Sequence, residues 1–136
     1  MVIDASLTLA WYFEDESTPA AQEVLDRVAE AGAMVPGLWR LEVANGFQTA
    51  IRRKRIDTRY RDASLDELTL LPIAVDVETS SCAWTTTLRL AERFSLSLYD
   101  ATYLELAERR SLPLATLEAA LRIAAPALGV VLLGLA

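Results

Sequence analysis

Residues 2–13, VIDASLTLAWYF, decide the fold. Val2-Ile3 is a short apolar run, Asp4 ends it, and Ser6 is a good N-cap for the apolar-rich stretch Leu7 to Phe13. The order is strand, then helix, and it recurs along the chain. Thr18 with Pro19 behind it starts a helix over Ala20 to Ala31 that Gly32 stops. Ala33-Met34-Val35 is a second strand, closed by Pro36-Gly37, and Leu38 to Lys54 has helical periodicity. Residues 58–70 form another helix, and Leu71 to Val75 is a third strand with Pro72 near its start. Asp76 then reads as the N-cap of a helix over Glu78 to Phe94, followed by a helix over Asp100 to Arg110. Leu112 to Thr116 is a fourth strand, Glu118 to Ala125 a helix, and Val130 to Leu133 a last strand. Short, continuously apolar strands alternating with helices predict an α/β fold, a parallel β-sheet sandwiched between α-helices.

At 136 residues, with 53% of them hydrophobic and 24% charged, the expectation is a single domain over residues 1–136. There is no histidine and one cysteine, Cys82. That excludes Ser-His-Asp and Cys-His nucleophilic units, zinc sites built on histidine or four cysteines, and an internal disulfide. Carboxylates are left to carry any catalysis. A net charge of −6 argues against a surface that grips nucleic acid as a whole, although twelve of the thirteen cations are arginines, whose planar fork suits phosphate. Met1-Val2-Ile3-Asp4 lacks the basic region of a secretory signal, and the apolar tail Ala127 to Ala136 is short of the ~20 residues of a membrane-spanning helix. The tail reads as buried strand and the compartment as cytoplasm.

In open α/β sheets the ligand site forms outside the carboxyl ends of the strands, which is where Asp4, Asp100 and Glu118 fall. Each has a local explanation: Asp4 as a turn or capping acid, Asp100 as a helix N-terminal acid, Glu118 as a partner of Arg122 at i, i+4. Jointly they ask for a cation, because gathering like charges is costly, and a hard divalent ion suits oxygen ligands. On the helix from Leu38, Trp39, Val43, Phe47, Ala50 and Ile51 share the apolar face, while Glu42, Asn45, Thr49 and Arg53 form a stripe that periodicity alone makes solvated.

The order and local wording of these acids resemble a known family. VIDAS at 2–6, LEVAN at 41–45, LYDATYLELA at 98–107 and LATLEAAL at 114–121 together look like a PIN domain, specifically a VapC-type ribonuclease toxin. The resemblance spans nearly the whole chain. It implies a parallel sheet between helices and an acidic pocket binding Mg²⁺ or Mn²⁺ for RNA hydrolysis. The matching positions are Asp4, Glu42 and Asp100. Glu118 departs from the pattern, which usually has Asp there, so it would reach the ion by folding back or through water. Thr116 matches a supporting hydroxyl, with Ser6 and Asn45 as further supporting residues. Asp76 is left out as a cap. The resemblance also implies a cognate VapB-type antitoxin and a homodimer. Arg52, Arg53 and Arg55 are candidate RNA-phosphate contacts, with a solvated helix end as the alternative. Trp11, Tyr12 and Phe13 read as core.

Two rivals share the placement of acids after strands. A haloacid-dehalogenase-like phosphatase wants a second Asp two residues after the first, where this chain has Ser6. That class and receiver domains both want a late lysine, whereas the one lysine is Lys54. The serious alternative is a catalytically weakened PIN-like module, its metal chemistry lost with the change at Glu118, that binds a partner.

Overall fold

The computed structural model describes residues 1–135; Ala136, the end of the tail read as strand, lies outside them. Strands β1 (Val2–Ile3), β2 (Ala33–Val35), β3 (Ile73–Val75), β4 (Leu114–Ala115) and β5 (Leu132–Leu133) form one sheet in the order β3-β2-β1-β4-β5. Every pairing is parallel, with Val2 opposite both Met34 and Leu114. Helices α1 (Ala5–Ala10), α2 (Pro19–Ala31), α3 (Trp39–Arg52), α4 (Thr58–Thr69), α5 (Thr79–Cys82), α6 (Thr86–Phe94), α7 (Leu98–Arg110) and α8 (Ala119–Ala124) surround it. The central strands β1 and β4 are buried on both faces, which is why they carry no alternation. The core runs through Ile3, Leu7, Phe47, Leu104, Leu106, Leu114 and Leu121, and burying each such side chain contributes about 1.5–3 kcal/mol. The apolar stripe of α3 faces inward as expected, with Trp39, Val43, Phe47 and Ala50 buried.

Several local expectations are corrected. The first helix starts at Ala5 and its N-cap is Asp4, not Ser6: the Leu7 N–H donates to Asp4 Oδ1 at 2.9 Å. The stretch 78–94 is two helices, broken at Thr85 (φ −122°, ψ −99°). Its Ser and Thr hydroxyls compete with the helical ladder: Ser81 donates to the Glu78 carbonyl at 3.0 Å and Thr85 to the Cys82 carbonyl at 3.3 Å. The helix after β4 starts at Ala119 and passes into a 3₁₀ turn over Ala125–Leu128.

Asp76 does not stand at the N-cap of α5, which is Glu78, although its Oδ2 accepts from the Thr79 hydroxyl at 3.3 Å. It lies buried, and Arg109 grips it from 33 positions away, with Nη2 donating to Oδ2 at 2.6 Å and Nη1 to Oδ1 at 3.2 Å. The same guanidinium reaches Glu105 at 2.7 Å and Glu78 at 2.8 Å. Burial pushes the Asp76 carboxyl up, but the Arg109 hydrogen bonds and charge outweigh it and hold the group below its ordinary value.

Trp11 and Phe13 are core, Trp11 Nε1 donating to the Ala21 carbonyl at 2.9 Å, while Tyr12 is half-buried against Phe47. Helices α1 and α3 meet where Gly46 leaves room: a Cβ there would stand 2.3 Å from Leu9 Cδ1. That close approach brings together the two helices that carry Asp4 and Glu42.

Candidate functional site

The strand order reverses direction between β1 and β4, and the crevice outside their carboxyl ends is where an open α/β sheet places its ligand. Asp4 follows β1, and Thr116 follows β4. The Thr116 hydroxyl donates to Asp4 Oδ2 across this crevice and accepts from the Glu118 N–H at 2.9 Å. Ser6 donates to Asp4 Oδ1 at 2.7 Å and accepts from the Leu117 N–H at 3.1 Å. Thr8 takes the Asp4 carbonyl at 2.8 Å and the Trp39 Nε1–H at 3.1 Å. Asp4 is therefore both the cap of α1 and the most fixed acid of the pocket; the capping role does not exclude the other.

Glu42 is half-buried in the first turn of α3 and accepts a hydrogen bond from the Tyr103 hydroxyl. Its stripe on α3 is otherwise open to solvent or half-buried, as periodicity suggested. Asp100 stands in the first turn of α7, where its N–H donates to Ser97 Oγ at 3.0 Å. Glu118 is exposed at the N-cap of α8, without a side-chain capping bond. The expected pairing of Glu118 with Arg122 does not form. Arg122 instead donates to the carbonyls of Thr116 at 2.7 Å and Leu133 at 3.0 Å, tying β4 to β5.

The electrostatics link the four acids through Asp100. Burial pushes Asp4 up to about 6, against the hydrogen bonds from Thr116, Leu7 and Ser6, and the charge of Asp100 adds to the rise. Glu42 is raised by burial, against its bond from Tyr103, and again by Asp100. Asp100 itself is raised by burial and by the charge of Glu118. None of the four is in an ion pair among the described residues, in contrast to Asp76. The donor set is all oxygen and carries excess negative charge, which fits a hard divalent cation. Among the described residues no three of these acids stand close enough to hold one ion as they are. Four like charges without a counter-ion have no reason to close on a point.

Of the supporting residues, Thr116 and Ser6 are in the pocket. Asn45 is exposed and lines a shallow concavity with Leu41 and Arg61 instead. The basic run lies elsewhere: at 1.5 Å per residue, Arg52 is about 15 Å along α3 from Glu42. Arg55 is already engaged, bonded to Asp15 at 2.8 Å and stacked 4.7 Å from the Phe13 ring centre. Arg52 and Arg53 are exposed. A cleft of about 410 Å³ between α3, α4 and β3, lined by Trp39, Val43, Leu65, Leu68 and Ile73, contains no acid. Sequence reasoning missed Tyr103 and Thr8. Tyr103 lies three positions after Asp100, on the same face of α7, which is the one local signal that pointed to it.

No curated protein matches the sequence. Among solved structures, the chain is similar to PAE2754 from Pyrobaculum aerophilum, with a TM-score of 0.70 and 21% identity over 96% of this chain and 81% of that one. That likeness is one of fold. No helix among the described residues is long and apolar enough to cross a membrane. The PIN domain family model matches residues 1–125, a span that holds β1, β4, the crevice between them and all four acids. PIN domains are typically nucleases and generally use divalent metals such as Mg²⁺. By that match and by its five-stranded parallel sheet, the chain belongs to the PIN domain family.

Proposed function

We propose that this PIN domain, spanning the whole chain, is a Mg²⁺- or Mn²⁺-dependent ribonuclease and the toxin of a VapBC-type toxin–antitoxin pair. The observation that carries the reading is that Asp4 and Glu42 feel the charge of Asp100, and Asp100 that of Glu118, while no cationic side chain pairs with any of the four among the described residues. Asp4 and Asp100 would hold the principal ion, with Glu42 sharing it or a second one. Glu118, exposed and one methylene longer than the usual Asp, would act directly or through water. The bound ion supplies a lowered water pKa and stabilisation of charge on the phosphoryl oxygens.

The chain's own residues do the rest. Thr116 and Ser6 hold the two oxygens of Asp4 in place, so that the acid does not swing out to solvent. Glu118, with its backbone N–H fixed by Thr116, stands at the open side, where it would orient an attacking water directly or through its solvent. Without an ion the acids repel the RNA backbone, so substrate binding as well as cleavage depends on it. Arg52 and Arg53 remain the proposed phosphate contacts beyond the pocket. The toxin role, the VapB-type antitoxin, the homodimer and the cytoplasmic setting rest on the family resemblance. An antitoxin arginine entering among the carboxylates would inhibit by charge complementarity.

Asp100→Asn removes the shared charge while keeping the side-chain shape. It is expected to abolish Mn²⁺ binding in calorimetry and lower RNA cleavage by more than about a hundredfold, beyond the scale of losing an outer partner of a metal ligand. A variant that binds Mn²⁺ and cuts like the wild type would overturn the assignment. A second reading, the catalytically weakened partner-binding module, is favoured by one observation: the acids do not close to chelating distance.

A further inference from the structure

We propose that Tyr103 is a positioning residue of the acidic pocket, its phenolic O–H fixing Glu42 and binding the three acid-bearing helices α1, α3 and α7 into one frame. The side chain is 1% exposed in the middle of α7. Packing alone would be satisfied by Phe. A buried phenol must find a partner for its hydroxyl, and here that partner is a carboxylate 61 positions away rather than a backbone carbonyl. The same hydroxyl lies against the backbone N–H of Ala5, the residue after Asp4, and within reach of the charge of Asp4. Asp100 is one turn earlier on its own helix. One oxygen therefore touches Glu42 and adjoins Asp4, while Asp100 shares its helix.

Glu42 has three rotatable side-chain bonds and sits on a stripe otherwise open to solvent. Engaging Oε1 with Tyr103 restricts that freedom, and Oε2 has no hydrogen-bond donor among the described residues. A carboxylate held by one oxygen is pre-set to offer the other, which is how outer partners tune ligands in metal sites generally.

The inference rests on the metal-dependent reading above, and its test separates the two. Tyr103→Phe removes one oxygen atom and leaves the ring in place. Calorimetric titration with Mn²⁺ is expected to show binding about 10–100-fold weaker than wild type. RNA cleavage is expected to lose kcat by a similar factor, with KM unchanged. In a Glu42→Gln background the same substitution is expected to cause no further loss of Mn²⁺ affinity, because the partner it acts through has gone. Should the phenylalanine variant not fold, Tyr103→Met removes the hydroxyl while filling the space flexibly and carries the same titration. Mn²⁺ affinity within twofold of wild type, or a loss that persists undiminished beside Glu42→Gln, would overturn the positioning role and leave Tyr103 as core. Wild-type protein that binds no Mn²⁺ would overturn the metal reading and this inference with it.

Discussion

Arg109→Met is expected to lower the unfolding midpoint by roughly 10–15 °C. The reason is the company Arg109 keeps: among the described residues its guanidinium is the sole cation paired with Asp76, whose side chain is 0% exposed, and with Glu105 at 5%, besides the half-exposed Glu78. Removing one partner of a buried pair leaves an uncompensated charge and costs about 3–5 kcal/mol. At about 3 °C per kcal/mol for a domain of this size, that gives the stated shift. The pH dependence is distinctive. In the wild type Asp76 is held below its ordinary value, so its contribution is present at neutral pH and is lost only as pH falls through that lowered value. In the variant burial is left to raise the stranded Asp76, which protonation relieves, so the gap between the two proteins narrows on acidification. Thermal melts followed by circular dichroism between pH 4 and pH 8 check this. A midpoint within 3 °C of wild type at neutral pH would contradict the account of Asp76 and Arg109.

Asp4→Asn is expected to do the opposite, stabilising the metal-free protein while destroying its site. The folded chain holds the Asp4 carboxyl at about 6, against 3.8 for the free side chain. Between those values the folded state keeps a proton that the unfolded state has lost, so stability falls as pH rises through this window and stays lower above it. A shift of about two units corresponds to about 3 kcal/mol. Asn has no proton to lose and caps helices as well as Asp does, so the α1 cap survives. In chelator, the variant should melt near the wild type at pH 4 and several degrees above it at pH 7. Added Mn²⁺ should raise the wild-type midpoint through ligand linkage and leave the variant unmoved. Parallel pH profiles for the two proteins would show that Asp4 is not the strained acid described here. Such a trade of stability for a charged pocket is what a site built to receive a cation entails.

The architecture was legible because its signals are local. Three-residue apolar runs such as Ala33 to Val35, punctuated by Gly32 and by Pro36-Gly37, can be read without distant partners, and so can Thr18-Pro19 opening α2. The acids after β1 and β4 were legible as candidates because α/β topology fixes which strand ends share the crevice. Glu42 was legible only through the resemblance carried by LEVAN at 41–45: by periodicity it belongs to a solvated stripe, and the contact that sets it apart, with Tyr103, lies far along the chain. Asp76 failed for the same reason. Its position ahead of a helix suggested a cap, while its bond to Arg109 crosses the fold. The cap of α1 fell to Asp4 rather than Ser6 because both are capping residue types, and a shift of two residues in the helix start decides between them. The break at Thr85 came from hydroxyls that compete with the ladder, a tendency that an apolar periodicity conceals.

The most direct test of a carboxylate-metal ribonuclease is cleavage of a structured RNA mixture by purified, antitoxin-free protein in Mg²⁺, in Mn²⁺ and in excess chelator. Cutting in either ion, abolished by chelator, is the predicted result. Cutting that persists in chelator would contradict the role given to the acids, and folded protein that cuts in neither ion would contradict the enzyme assignment in favour of the partner-binding module.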